Sequence, residues 1–246
     1  MSSRKPILIL QLRPEDETSD SEFAAILKYG ELDPRNVQRI RIEKTGIPKI
    51  SLENYSAIIV GGSPFDITTP ENEKSEIQKT IEQDFNSLFD DVVPNDFPFL
   101  GACSGNGLLG NYLGAKLSRK YAEPVGGATV EVTDLGQQDK LLEGFPKQIR
   151  VLLGHKEACD QTPGEAELLI TGEACPVQMF RVGENVYATQ FHPEGDSQGF
   201  SCRIDTYKHH GYFHASEAEA LKQAVEHEST PYAQLILKRF VDRYLV

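Results

Sequence analysis

The sequence predicts a single α/β domain: a mostly parallel central sheet, helices on both of its faces, and an antiparallel extension of that sheet. Three observations predict it. Short apolar runs recur through the first half, segments of helical period separate them, and the second half replaces those helices by short connections between further strands.

In order, "PILILQL" reads as a buried strand and "SDSEFAAILKYG" as a capped helix ending at Gly30. Asp33-Pro34 marks a turn, and "VQRIRI" and "SAIIVGG" read as the next two buried strands. In "EKSEIQKTIEQDFNSLFDDVV" the apolar residues Ile77, Ile81, Leu88, Phe89 and Val92 fall on one helical face. Asn95-Asp96 turns the chain into "FPFLGA", a fourth strand. "GATVEVTD", "KQIRVLLGH", "AELLITG", "VQMFRVG" and "NVYATQF" follow as strands of the antiparallel or mixed extension. "PYAQLILKRFVDRYLV" closes the chain as a helix burying Leu237, Phe240, Val241 and Tyr244. With no repeat, low-complexity tract or linker, residues 1–246 are expected to form one domain, a core over about 5–200 and a helical extension over 201–246.

The 246 residues are 39% hydrophobic, enough for one full core. A net charge of −12 with scattered acids disfavours nucleic acid and anionic membrane, which both demand clustered Lys and Arg. The apolar run near the start is too short for a secretory signal or a membrane span, so a cytoplasmic location is expected. Cys103, Cys159, Cys175 and Cys202 show no CxxC spacing, so no zinc cage is expected and a reducing compartment leaves free thiols.

In "FPFLGACSGNGLLGNYLG" the strand ends near Leu100, and a helix from about Ser104 carries Leu108, Leu109 and Leu113. Cys103 thus stands at a strand-to-helix corner on the carboxyl edge of a parallel sheet, where such sheets bind ligands. Gly101 and Gly105 suit a sharp corner, and the helix amino terminus is expected to lower the thiol pKa and present free N–H groups to an oxyanion. In "VYATQFHPEGD" a strand delivers His192, and Glu194 two residues later would share its side in an extended segment. Cys103, His192 and Glu194 then supply nucleophile, base and orienter.

Both stretches, their order and their spacing resemble class I glutamine amidotransferases, whose motifs read G-x-C-x-G-x-Q and F-H-P-E. Gly101, Cys103 and Gly105 match the first; Phe191, His192, Pro193 and Glu194 match the second. "YSAIIVGGSPFDI" is similar to the family's strand and glycine-proline loop. The resemblance implies a flavodoxin-like sheet, a Cys-His-Glu triad forming a thioester, and an oxyanion hole built from the backbone N–H of Gly62 or Ser63 with that of Ser104. It also implies that His155, Lys156 and Glu157 line the substrate pocket. One departure stands out: Gly107, preceded by Asn106, occupies the place of the family's glutamine, which implies weaker capture of free glutamine.

The expected activity is hydrolysis of a γ-glutamyl amide bond, with glutamine or another γ-glutamyl small molecule as donor and no cofactor. The resemblance is to glutamine amidotransferases or their GMP-synthase-like branch, and it implies a separate synthase subunit as partner or else a free-standing γ-glutamyl hydrolase or peptidase. The alternatives are a catalytically weak binding or regulatory subunit of such a synthase, and a hydrolase of another acyl substrate. Adjacent His209 and His210 would point about 100° apart on a helix, and His210 with His214 at i, i+4 lacks a third ligand of clear spacing, so no metal site is expected there. Gly61-Gly62 lacks the lysine of a phosphate loop, which argues against nucleotide binding.

Overall fold

A computed structural model of the chain describes residues 4–210 and 212–245. Its main sheet has nine strands. Five run parallel: β1 (Ile7–Gln11), β2 (Val37–Arg41), β3 (Ala57–Val60), β4 (Phe99–Ala102) and β11 (Val186–Thr189), in the order β2-β1-β3-β4-β11. This is the strand order of a flavodoxin-like sheet. Antiparallel strands β10 (Met179–Val182), β9 (Glu167–Thr171), β6 (Glu123–Val132) and β7 (Gln148–His155) extend it beyond β11. A two-residue ladder, β5 (Leu117–Ser118) with β8 (Ala158–Cys159), lies apart.

Alternation along β1 explains the two layers, since successive side chains point to opposite faces. Ile7 and Ile9 join α1 (Asp16–Tyr29) and α7 (Pro231–Tyr244) through Ile26, Ile236, Leu237 and Phe240. Leu8 and Leu10 face α3 (Glu76–Val92) and α4 (Ser104–Tyr112) through Ile81, Phe85, Phe89, Leu108 and Leu109. The short α2 (Ile42–Thr45) sits after β2, while α5 (Ser197–Tyr207) and α6 (Ala218–Glu226) follow the last strand. Phe200 and Ile204 of α5, with Ala218 and Val225 of α6, pack on Leu152 of β7 as a third small core. No helix among the described residues is long and apolar enough to cross a membrane.

Several expectations need correction. "NVYATQF" is not part of the antiparallel extension: β11 is the fifth parallel strand, with Thr189 in register with Ala102 of β4. "VQRIRI" forms the sheet edge, where β2 is only partly buried. The first helix begins at Asp16, earlier than its serines suggested, and lacks a side-chain cap; Ser75 does cap α3 by accepting from Gln78 N–H at 3.2 Å.

Candidate active site

Because β4 and β11 are neighbours, parallel and in register, the residues that follow them emerge side by side. The Cys103 N–H donates to the Thr189 carbonyl at 2.7 Å, which fixes the corner after β4 against the end of β11. Cys103 has φ 52° and ψ −94°, a left-handed conformation that a non-glycine residue adopts only under strain. Gly101 makes the corner possible, since a Cβ there would lie 2.8 Å from the Gly105 carbonyl carbon. Gly105 is less constrained, with a Cβ meeting Val60 at an ordinary 3.4 Å.

His192 Nδ1 lies 2.8 Å from Glu194 Oε1, so the structure brings the expected base and orienter together. The local reason differs from the extended segment expected. The strand ends at Thr189, and residues 192–195 form a turn in which Gly195 N–H donates to His192 C=O at 3.0 Å. Phe200 meets the imidazole edge-on at 5.5 Å, and Cys103 and His192 line one cleft.

Glu194 also accepts from Arg203 Nη2 at 2.7 Å. Behind this pair lies Glu22 of α1, whose carboxylate takes Arg13 Nε at 2.6 Å, Gln11 Nε2 at 3.1 Å and Gly62 N–H at 3.3 Å. Arg203 Nη2 is 3.7 Å from the same carboxylate. Two buried arginines and two buried glutamates therefore balance one another beneath the imidazole. Arg13, Glu22 and Arg203 were not anticipated: they are far apart in the chain and match no local pattern.

Burial governs the titrations. It pushes the Cys103 thiol up to about 12 against the opposing pull of Arg13 and Arg203, the reverse of the lowering expected from the helix terminus. Burial also lowers His192, outweighing Glu194. Burial alone would raise Glu194, but His192 and Arg203 overcome it and hold the carboxyl well below the usual range. Burial thus disfavours both the thiolate and the imidazolium, while His192 and Arg203 favour the ionised form of Glu194.

The backbone donors are differently disposed from expectation. Gly62 N–H is directed at Glu22, so it does not face Cys103; its Cα instead packs beneath the imidazole, where a Cβ would be 2.8 Å from His192 Cε1. Ser63 N–H donates to Ser104 Oγ at 2.8 Å. Ser104 N–H, at the first helical position of α4, has no acceptor within its own helix.

His155, Lys156, Glu157 and Gly107 line a polar cleft with Cys103 and Ser104. Both His155 ring nitrogens are engaged, Nδ1 at 2.9 Å from Glu157 C=O and Nε2 at 3.0 Å from the Glu123 carboxylate. Lys156 pairs with Asp66 at 2.8 Å. Glu157, raised by burial, accepts the N–H groups of Ile67 and Thr68 at 2.7 and 2.8 Å and so clamps that loop. A Cβ on Gly107 would meet Ile67 and Leu117 at 3.3 Å and Glu157 Oε1 at 3.8 Å. The Glu157 carboxylate thus reaches the space that a side chain at 107 would enter.

The chain leaves helix at Tyr207, so the 209–214 histidines do not share a helical face. The same segment brings Tyr212 to the rim, its hydroxyl donating to Ser63 C=O at 3.3 Å and its ring 4.5 Å from Lys156 Nζ. Two groups among the described residues, Glu123–His155–Cys175 and Glu22–His192–Glu194, have ligand atoms within 4.8 Å of one another. In the first, His155 and Gln178 already hold the Glu123 carboxylate; in the second, Arg13 and Arg203 hold the glutamates.

A strained cysteine elbow on the carboxyl edge of a flavodoxin-like sheet, beside a histidine–carboxylate pair, places the chain among flavodoxin-like α/β proteins with a cysteine at a strand-to-helix corner. Residues 24–204 match the family Glutamine amidotransferase class-I, and the chain belongs to that family. It is 25% identical over 174 residues to the GMP synthase [glutamine-hydrolyzing] of Aeropyrum pernix, covering 68% of this chain and 31% of that protein. In Methanobrevibacter smithii the matching relative is named as one subunit of a GMP synthase [glutamine-hydrolyzing]. It is 26% identical over 175 residues, covering 68% of this chain and 82% of that protein. The chain therefore spans less than a third of the first relative but most of the second. The crystal structure of a glutamine amidotransferase from Thermotoga maritima has the same fold, with a TM-score of 0.75, 22% identity, and coverage of 97% of this chain and 98% of that one.

Proposed function

We propose that the protein hydrolyses a γ-glutamyl amide bond through a thioester on Cys103. The observation that carries this reading is the strained Cys103 elbow opening on the same cleft as a His192 ring held by Glu194 at 2.8 Å. Engagement of Nδ1 leaves Nε2 to exchange protons. His192 takes the thiol proton as sulphur attacks the γ-carbonyl carbon, and the oxyanion is met by the backbone N–H of Ser104 and, once the Ser104 hydroxyl has turned away, by that of Ser63. The C–N bond then breaks with transfer of the proton from His192 to the departing amine. Water attacks the thioester next, giving its proton to His192, and glutamate leaves as the thiol is restored. Since neither thiolate nor imidazolium is favoured at rest, proton transfer accompanies attack.

Glutamine is a donor consistent with the relatives' names. A relative named as one subunit of a synthase supports a separate synthase as recipient of ammonia. The test is a glutamine-analogue electrophile, with its mass increment located by peptide mapping and amine release followed in parallel. Label on Cys103 together with turnover supports the reading; label on Cys159, Cys175 or Cys202 alone overturns it.

A second reading, a weakly active subunit, is favoured by one contact. Ser63 N–H is occupied by Ser104 Oγ, so the oxyanion hole is closed until that hydroxyl turns away. Releasing one hydrogen bond costs about 0.5–1.5 kcal/mol net. Ser104→Ala is therefore expected to raise kcat about two- to tenfold in the isolated protein. A fall in kcat at unchanged KM would show instead that the hydroxyl itself serves the oxyanion.

A further inference from the structure

One carboxylate oxygen serves two donors. Glu194 Oε1 takes His192 Nδ1 at 2.8 Å and Arg203 Nη2 at 2.7 Å, so the oxygen that orients the imidazole is also held by the guanidinium. Arg203 is itself fixed. It lies on α5 at 7% exposure, with its guanidinium carbon 5.0 Å from the centre of the Phe200 ring. Phe200 is also the residue that meets the imidazole edge-on. Imidazole, carboxylate, guanidinium and phenyl ring therefore form one packed unit.

The charged and titratable groups about the imidazole come from several elements. Glu194 stands in the turn after β11, Arg203 on α5, Glu22 on α1 and Arg13 after β1, with the Cys103 thiol at the elbow. Carboxylate oxygens of Glu22 and Glu194 and a ring nitrogen of His192 all lie within 4.8 Å of one another. Two such carboxylates acting alone would draw a proton onto the ring, since an opposite charge within about 4–6 Å favours the charged form. The arginines cancel them. Arg13 meets Glu22 at 2.6 Å and Arg203 meets Glu194 at 2.7 Å, so the ring rests beside a set without net charge. The balance shows in the ring itself: burial lowers His192 most, and the upward pull of Glu194 is opposed by Arg203 and Arg13.

We infer that Arg203 is a positioning residue of the triad. By sharing Glu194 Oε1 it fixes that carboxylate and offsets its charge, so that His192 is kept as the neutral base that can take the thiol proton. Arg203 acts through Glu194, and its other terminal nitrogen, Nη1, is buried. The inference rests on the proposed Cys103 chemistry and adds the residue that sets the state of its base.

The test is the pH dependence of kcat/KM on glutamine in the wild type, Arg203→Gln and Arg203→Lys, with thermal melting to show which variants are folded. In Arg203→Gln an amide can still donate to Glu194 but brings no charge, which leaves the set one negative charge in excess. Its acid limb is expected to move up by about one pH unit or more, a loss of about tenfold on the acid side relative to its own plateau. Arg203→Lys restores the charge and is expected to return the limb close to its wild-type position. A side chain that served packing alone would lower the rate at every pH and leave the limb in place. A limb unmoved in Arg203→Gln, or moved equally in Arg203→Lys, would overturn the inference.

A second measurement needs no variant at Arg203. The His192 ring is titrated by NMR in the wild type, its resonance assigned by its loss in His192→Asn. A midpoint below about 6.5, the ordinary histidine value, is expected, and one above it would overturn the inference. Electrophile labelling of Cys103 keeps the two readings apart. Absence of both label and turnover would overturn the thioester, while the ring titration would still decide the role of Arg203.

Discussion

Cys103→Ala is expected to abolish turnover while the thermal midpoint stays close to that of the unaltered protein. Cys103 is only partly buried and belongs to none of the apolar cores, so its thiol can be removed without opening the sheet. His192→Asn is expected to lower kcat by about 10²–10⁴, the usual contribution of a positioned base. Glu194→Gln should lower it less, since the amide keeps the shape of the contact but no longer stabilises an imidazolium. The wild-type pH profile carries a further expectation. His192 must be neutral to accept the thiol proton, and burial lowers its pKa. The acid limb of kcat/KM should therefore fall below about 6.5, the ordinary histidine value, and activity should persist to lower pH than an exposed histidine would allow. Steady-state kinetics from acid to neutral pH check all of these. Rates within about twofold of wild type for both His192→Asn and Glu194→Gln would remove the pair from the mechanism.

The parts of this site that were legible in the sequence are those whose chemistry is local. Gly101 announces the corner because a Cβ there is excluded by Gly105 four positions on, and Cys103 takes its strained conformation between these two glycines. His192 and Glu194 are two residues apart, so contact between them needs only one bend, and a turn supplies it where an extended segment was expected. What was hidden depends on neighbours distant in the chain. Periodicity identifies "NVYATQF" as a strand but carries no information on which strand lies beside it. Only the sheet order shows it next to β4, the arrangement that sets His192 near Cys103.

The direction of a backbone N–H is equally invisible. The glycine-proline loop pointed to Gly62 or Ser63 as donors, yet Gly62 turns to Glu22 and Ser63 to Ser104 Oγ. The thiol shift had the opposite sign to expectation because burial, a property of the whole packed site, exceeds the effect of one helix terminus. Tyr212 and Phe213 belong to no motif, and it is the fold of the chain after α5 against the cleft that sets them in its wall.

Glu22 offers the sharpest stability test, because it is the residue on which the hidden part of the site converges. It is 1% exposed and lies on α1, in the first part of the chain, whereas Arg203 is on α5 near the end. Its carboxylate is the direct partner of Arg13 at 2.6 Å and holds Gly62 N–H at 3.3 Å, with Arg203 3.7 Å away. Glu22→Gln keeps the size of the side chain and removes the charge, leaving Arg13 and Arg203 to face Glu194 alone. Removing one partner of a buried ion pair costs about 3–5 kcal/mol, since the remaining charge is left without water or counter-charge. For a chain of this size each kcal/mol lowers the midpoint by about 2–4 °C, so a fall of about 10 °C is expected. Lys79→Ala is the control: its pair with Glu76 at 3.1 Å is exposed on α3, and such pairs contribute little, so the midpoint should hardly move. Activity separates a merely structural role from a positioning one. Below its own midpoint Glu22→Gln should still bind electrophile at Cys103 but turn over more slowly, because Gly62 packs beneath the imidazole and would lose its anchor. A midpoint within about 2 °C of wild type would show that the two arginines do not depend on Glu22 for compensation.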